Sequence, residues 1–315
     1  MQTDALLHLN LNRRDGLSRR NFLQSAALGI GGSSLLSQFR LHAEDLKKEG
    51  RSCILLWLAG APSQMETWDP KPGTPNGGET KKIQTQSPGV EIAHYWPKIA
   101  AAMNEIAVIR AMTGKEAAHE RGTYHLHTGH RMLGIEKFPH FGSVVARELG
   151  DPQSDIPNFV SIGQTLSSGF LGVQVAPFII DRPGLLPDNV VNSTSNLRQR
   201  RRLALLSQQE SEFAKAGATE LVKEQSELYQ KANLMMTSPR LKAFQFDDEP
   251  AVMQEAYGKS QTGQGLLVAR RLVEAGVPFV EVRSTGWDMH SSVFSSMARR
   301  APEVDQGLSQ LLLDL

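Results

Sequence analysis

Ile54-Leu55-Leu56-Trp57-Leu58-Ala59 is an apolar run without polar alternation, ended by Gly60. A strand with one wet face alternates, so an unbroken run predicts a central strand of a parallel sheet, buried on both faces. Parallel strands need crossover connections, and helices are the usual ones. Cys53, at the head of the run, reads as a small buried residue.

Strand and helix signals then alternate. Pro97 opens a helix over 97–103, at the first turn where its missing N–H costs nothing. Residues 106–109 read as a second strand, Phe141–Leu149 as a short helix closed by Gly150, and residues 158–162 as a third strand. Residues 69–89 are rich in Pro, Gly and Thr and read as a long loop. Residues 195–236 form a polar helical insertion. Leu206, Phe213, Leu221 and Leu228 recur there at two-turn spacing and predict one packed stripe. The run Arg198-Gln199-Arg200-Arg201-Arg202 reads as a solvated helix face. Residues 265–275 have helical spacing, Gly276 and Pro278 stop it, and Phe279-Val280-Glu281-Val282 starts a strand. This order predicts an α/β fold with a mostly parallel sheet.

The formal charge of +1 gives no general attraction for nucleic acid, and none is expected as a partner. One cysteine excludes a disulfide framework and any multi-cysteine metal site. No glycine-rich dinucleotide or P-loop pattern occurs, so no nucleotide cofactor is expected.

Ser18-Arg19-Arg20-Asn21-Phe22-Leu23 precedes a moderately apolar run to Phe39, the pattern of a twin-arginine export signal. The run holds three glycines, Gln24, Ser25 and Gln38 and is too polar for a membrane span. Cleavage after Ala43 would divide the chain into a 1–43 signal and a 44–315 domain. It would remove five basic residues (Arg13, Arg14, Arg19, Arg20, Arg40) and two acidic ones (Asp4, Asp15), taking the formal charge from +1 to −2. The twin-arginine translocase is then a partner during export, and the destination is the periplasm or cell surface.

Three segments hold chemistry. Asp288 and His290 follow a predicted strand end, where open α/β sheets place ligand crevices. At spacing i, i+2 on extended chain they project to one side, as a metal-ligand pair or a hydrogen-bonded surface pair. Residues 119–130 hold four histidines. On a helix, His119, Thr123, His127 and His130 fall near one stripe, while His125 points elsewhere. Such imidazoles bind a metal or an anionic ester, or simply face solvent. Ser63, Glu66 and Asp69 follow the first strand and are further crevice candidates. No G-x-S-x-G elbow surrounds Ser63.

Taken together, several of these segments resemble one family. They are Ser18–Leu23, Gly60-Ala61-Pro62-Ser63-Gln64, Trp68-Asp69-Pro70-Lys71-Pro72, His119-Glu120-Arg121-Gly122-Thr123-Tyr124, and Gly169-Phe170-Leu171-Gly172 with Ala176-Pro177-Phe178. Ala269-Arg270-Arg271-Leu272-Val273-Glu274-Ala275-Gly276-Val277 and Gly286-Trp287-Asp288-Met289-His290 complete the set. The chain thereby resembles domain-of-unknown-function family 1501, twin-arginine-exported, sulfatase-like proteins of the alkaline phosphatase superfamily. The resemblance implies a three-layer α/β/α sandwich and metal-dependent hydrolase ancestry, without an established activity; the expected function is hydrolysis of sulfate or phosphate esters, polysaccharide esters included. On that expectation Asp288 and His290 are ligands of a divalent zinc, calcium or manganese ion, His119 is a ligand, base or anion binder, and His119 and Thr123 are the catalytic candidates.

Two departures temper that implication. The sulfatase C-x-P-S-R-x-x-x-L-T-G-R signature is similar to the stretch ending Leu126-His127-Thr128-Gly129, and it places His119 where the modified nucleophile stands. An imidazole cannot form the aldehyde hydrate used there. Val304, Leu308, Leu311, Leu312 and Leu315 form an amphipathic pattern that runs to the last residue. In sulfatase-like proteins a core strand and further ligands follow such a helix, so the chain is expected to be a truncated member or a fragment. The alternative expectation is a non-catalytic glycan- or partner-binding protein on the same scaffold.

Overall fold

The computed structural model describes residues 45–315 apart from 111 and 191–194. The export-signal residues lie outside the described ones. In chain order the elements are β1 (Cys53–Leu58), β2 (Lys82–Gln84), β3 (Glu91–Ala93), α1 (Pro97–Ala101), α2 (His119–Thr128), α3 (Phe141–Leu149) and β4 (Phe159–Ile162). They continue with β5 (Phe178–Ile180), α4 (Asn196–Phe213), α5 (Thr219–Thr237), α6 (Ala251–Tyr257), α7 (Gln261–Glu274), β6 (Phe279–Ser284) and α8 (Val293–Asp314). Residues 50–315 form one unit.

The fold is mixed α/β, with a four-stranded parallel sheet in the order β1-β6-β4-β5. Strand β6 is buried on both faces, and its alternation decides what lies on each. Val280 and Val282 join the apolar cluster of α7, where Gly265 approaches so closely that a Cβ would sit 3.0 Å from Val282 Cγ1. Phe279, of opposite parity, stacks edge-on with Phe141 and Phe159. A Cβ on Gly142 of α3 would fall 2.6 Å from its ring. Helices therefore cover both faces of the sheet, as the apolar strands require.

The run at 54–59 does form β1, but at an edge of the described sheet, and it is half-buried rather than central. Cys53, its first residue, is exposed rather than the small buried residue expected. Residues 106–109 form no strand; Ile106 is extended after a 3₁₀ turn, and Ile109 lies in solvent. Four apolar residues do not make a strand without a partner edge. The expected long loop contains β2, which pairs antiparallel with β3. The 97–103 helix is shorter than its pattern, five residues followed by a 3₁₀ turn.

The 195–236 insertion is helical, as α4 and α5 joined by a π-type turn over Ala214–Ala218. Its expected stripe does not pack: Phe213, Leu221 and Leu228 are exposed. Gly217, at φ 104°, breaks the helix between them, so a period carried across it no longer marks one face. Among the described residues, no helix is long and apolar enough to cross a membrane.

Candidate functional site

Strand β6 ends at Ser284, and the loop behind it is fastened to the end of β1. Ala59 N–H donates to Ser284 O at 2.8 Å, and Trp287 N–H donates to Ala59 O at 3.2 Å. The buried Trp287 indole donates to Ser284 Oγ at 3.0 Å and stacks on Trp96, which stacks on Trp68. Asp288 is thereby held at the C-terminal end of the parallel strands, where such sheets present their ligand crevices.

Helix α2 brings its first residue to the same place. His119 Nε2 lies 3.1 Å from Asp288 Oδ2, and His290 Nε2 lies 2.8 Å from Asp288 Oδ1. Each imidazole has its own carboxylate oxygen, and the three donor atoms lie within 4.8 Å of one another. The side chains are 52%, 43% and 84% exposed for His119, Asp288 and His290. Two imidazoles and a carboxylate suit zinc or manganese. The donor set therefore fits a divalent ion.

A second cluster lies under the first. His127, His140 and Glu281 are 2%, 0% and 1% exposed. His127 Nε2 is 3.3 Å from Glu281 Oε1, and His140 Nε2 is 3.1 Å from Oε2, off the line of a good hydrogen bond. Thr165 Oγ1 donates to Oε2 at 2.6 Å. The hydrogen bonds assign the protons. Gly142 N–H donates to His140 Nδ1 at 2.8 Å, so a neutral His140 carries its proton on Nε2, toward the carboxylate. A protonated nitrogen is no metal ligand, and this cluster is unsuited to a metal despite its composition. His127 Nδ1 faces Thr123 O at 2.8 Å and must donate there, which leaves Nε2 facing Glu281 Oε1.

Burial alone would raise the Glu281 carboxyl, but its contacts with His127, His140 and Thr165 outweigh that and hold it down to about 2. Burial pushes the His140 imidazole below its ordinary value, against the pull of Glu281.

The remaining candidates separate. Thr123 is half-buried, one turn beyond His119 on the same face of α2. His127, a second turn on, points into the buried cluster. Gly129, left-handed at φ 74°, ends the helix, so His130 leaves the stripe and stacks on Phe138. Ser63 Oγ caps a 3₁₀ turn by accepting from Met65 N–H, Glu66 is buried and accepts from Thr80 Oγ1, and Asp69 pairs with Lys71. A cavity of about 510 Å³, lined by Ile156, Phe159, Phe178 and Met235 among others, opens at the opposite end of β4 and β5 from Asp288.

Glu281 and His140 were not singled out by sequence. Their signals were present: a carboxylate inside the apolar run of residues 279–282, and a histidine immediately before a helix.

No curated protein and no solved structure matches this chain. The model of a protein family of unknown function, DUF1501, matches residues 50–315. That span holds every strand described and both histidine–carboxylate clusters, and the chain belongs to the DUF1501 family.

Proposed function

We propose that this protein is an exported, metal-dependent hydrolase of sulfate or phosphate esters, polysaccharide esters included, on a sandwich of the alkaline phosphatase type. One observation carries the reading: His119, Asp288 and His290 converge at the C-terminal ends of the parallel strands. His119, Asp288 and His290 would hold the ion, and when bound it would polarise the ester and lower the pKa of a water. Without an ion, Asp288 faces both imidazoles, each through its own oxygen. Thr123, one turn from His119 on the same helix face, is the candidate nucleophile. The Ser18–Leu23 segment supports export through the twin-arginine translocase to the periplasm or cell surface.

The 84% exposure of the His290 side chain favours a second reading, a glycan- or partner-binding surface without turnover. Calorimetric titration with zinc, manganese and calcium, followed by assay on p-nitrophenyl sulfate and phosphate, separates the two. The hydrolase reading expects one bound ion, lost in Asp288→Ala, and turnover abolished in His119→Ala. Ion binding without turnover supports the second reading. No ion bound by the wild type overturns the metal assignment.

A further inference from the structure

We propose that the buried His127–Glu281 pair positions the exposed cluster, setting His119 against Asp288 by anchoring helix α2 to strand β6. What the exposed cluster does rests on the metal reading above; the anchoring does not.

The same two chain segments meet twice. Helix α2 carries His119, Thr123 and His127 at i, i+4 and i+8, on one face. Strand β6 and the loop behind it carry Glu281 and Asp288. His119 meets Asp288 at the exposed end, and His127 meets Glu281 at the buried end. Arg121 of the helix pairs with Glu116, in the segment just before it, not with the sheet. The helix sequence HERGTYHLHT has no apolar stripe, and only Tyr124, His127 and Thr128 are buried, while Leu126 faces solvent. Thr128 Oγ1 bonds within its own segment, to Tyr124 O and His130 O. Tyr124 OH accepts from Phe138 N–H, which ties α2 to a loop rather than to the sheet. The contacts of α2 with the sheet concentrate at His127, which meets Glu281 and packs edge-on against Trp57 at 4.4 Å.

Leverage follows from length. Eight residues of helix span about 12 Å, so a tilt of about 10° about His127 carries His119 roughly 2 Å. That is enough to part it from Asp288. Glu281 is itself fixed by Thr165 and His140 from the β4 side, so the anchor is rigid at its root.

Glu281→Gln is the conservative variant. Its amide can donate to an unprotonated His127 Nε2, while its carbonyl accepts from Thr165 and His140. His127→Leu removes the anchor and leaves Glu281 paired with His140 and Thr165. The test is a zinc titration of the full chain, with nitrogen NMR signals of the His119 ring recorded in the metal-free protein. His127→Leu is expected to shift the His119 signals and weaken zinc about tenfold or more, the usual scale for outer supports of a metal site. Glu281→Gln is expected to stay within about threefold of wild type.

A folded His127→Leu protein with unchanged His119 signals and zinc affinity overturns the proposal, as does Glu281→Gln behaving like His127→Leu. Should His127→Leu fail to fold, Thr165→Val loosens the root of the anchor, and unchanged signals and affinity there overturn it equally. A wild type that binds no zinc, but whose His119 signals move in His127→Leu, overturns the metal reading and leaves the positioning intact.

Discussion

Gly60 lies flat against the backbone of Asp288. A Cβ at Gly60 would fall 2.8 Å from the Trp287 carbonyl carbon and 2.9 Å from Asp288 Cβ, and it would overlap the Asp288 amide nitrogen. Gly60 also sits at φ 112°, where an L side chain is strained. The end of β1 and the loop after β6 close on one another only because this position lacks a side chain.

Gly60→Ala is therefore expected to push Asp288 away from His119. It should lower stability by about 1–3 kcal/mol, from overpacking and strain together, and weaken zinc binding. Urea unfolding and zinc titration of the variant check this. A stable variant with unaltered affinity would show that the contact does not place Asp288.

Acid should destabilise the protein through Glu281. Its carboxyl titrates at about 2 in the fold against an ordinary 4.5. Between those values the unfolded chain binds more protons, so the stabilisation is complete above 4.5 and lost as pH falls toward 2. The gap corresponds to roughly 3 kcal/mol. His140 acts with the same sign in a higher window, because its imidazole is held below the ordinary 6.5 and stability falls as pH drops under that value. Unfolding free energies at pH 7, 5 and 3 should decline more steeply for wild type than for Glu281→Gln. Parallel declines would refute the assignment to Glu281.

Asp305 of α8 caps α1 across the fold. Its buried carboxylate accepts from Lys98 N–H at 3.0 Å and Ile99 N–H at 2.8 Å, two of the donors that a helix start leaves unpaired. Trp96, the residue before the helix, makes no side-chain cap. Asp305→Ala should cost about 1–3 kcal/mol, the penalty for orphaned buried donors. Thermal unfolding measures it, and an unchanged midpoint would mean that water replaces the carboxylate.

Ser284→Ala leaves the buried Trp287 indole N–H and the Thr262 hydroxyl without their shared partner. A loss of about 1–3 kcal/mol is expected. Because Trp287 adjoins Asp288, zinc affinity should fall as well. Tryptophan fluorescence and zinc titration report the two effects separately, and a fluorescence change without loss of zinc would detach Trp287 from the site.

Local chemistry made much of this legible from the chain. Pro97 opens α1, Gly150 closes α3, and the 265–282 segment reads correctly as helix, stop and strand, because caps and periodicity act over one or two turns. Asp288 and His290 stood out by following a strand end, and His119 by its histidine-rich helix. Their meeting was not legible, since nothing local ties residue 119 to residue 288. The stripe from Leu206 to Leu228 failed for a related reason: Gly217 admits either a continuous helix or a break, and period alone does not choose.

The sequence by itself determined most helices, the first and last strands of the sheet, its parallel class, and which residues carry imidazoles and carboxylates. Only the tertiary structure decided that the α2 stripe divides, His119 going to an exposed cluster and His127 to a buried one. A helix face is a local property, but what that face meets depends on the register of a strand far away in sequence. The same holds for protons. Gly142 N–H assigns the His140 tautomer, and Thr123 O fixes the His127 Nδ1 proton, so chemistry that composition leaves open is set by packing.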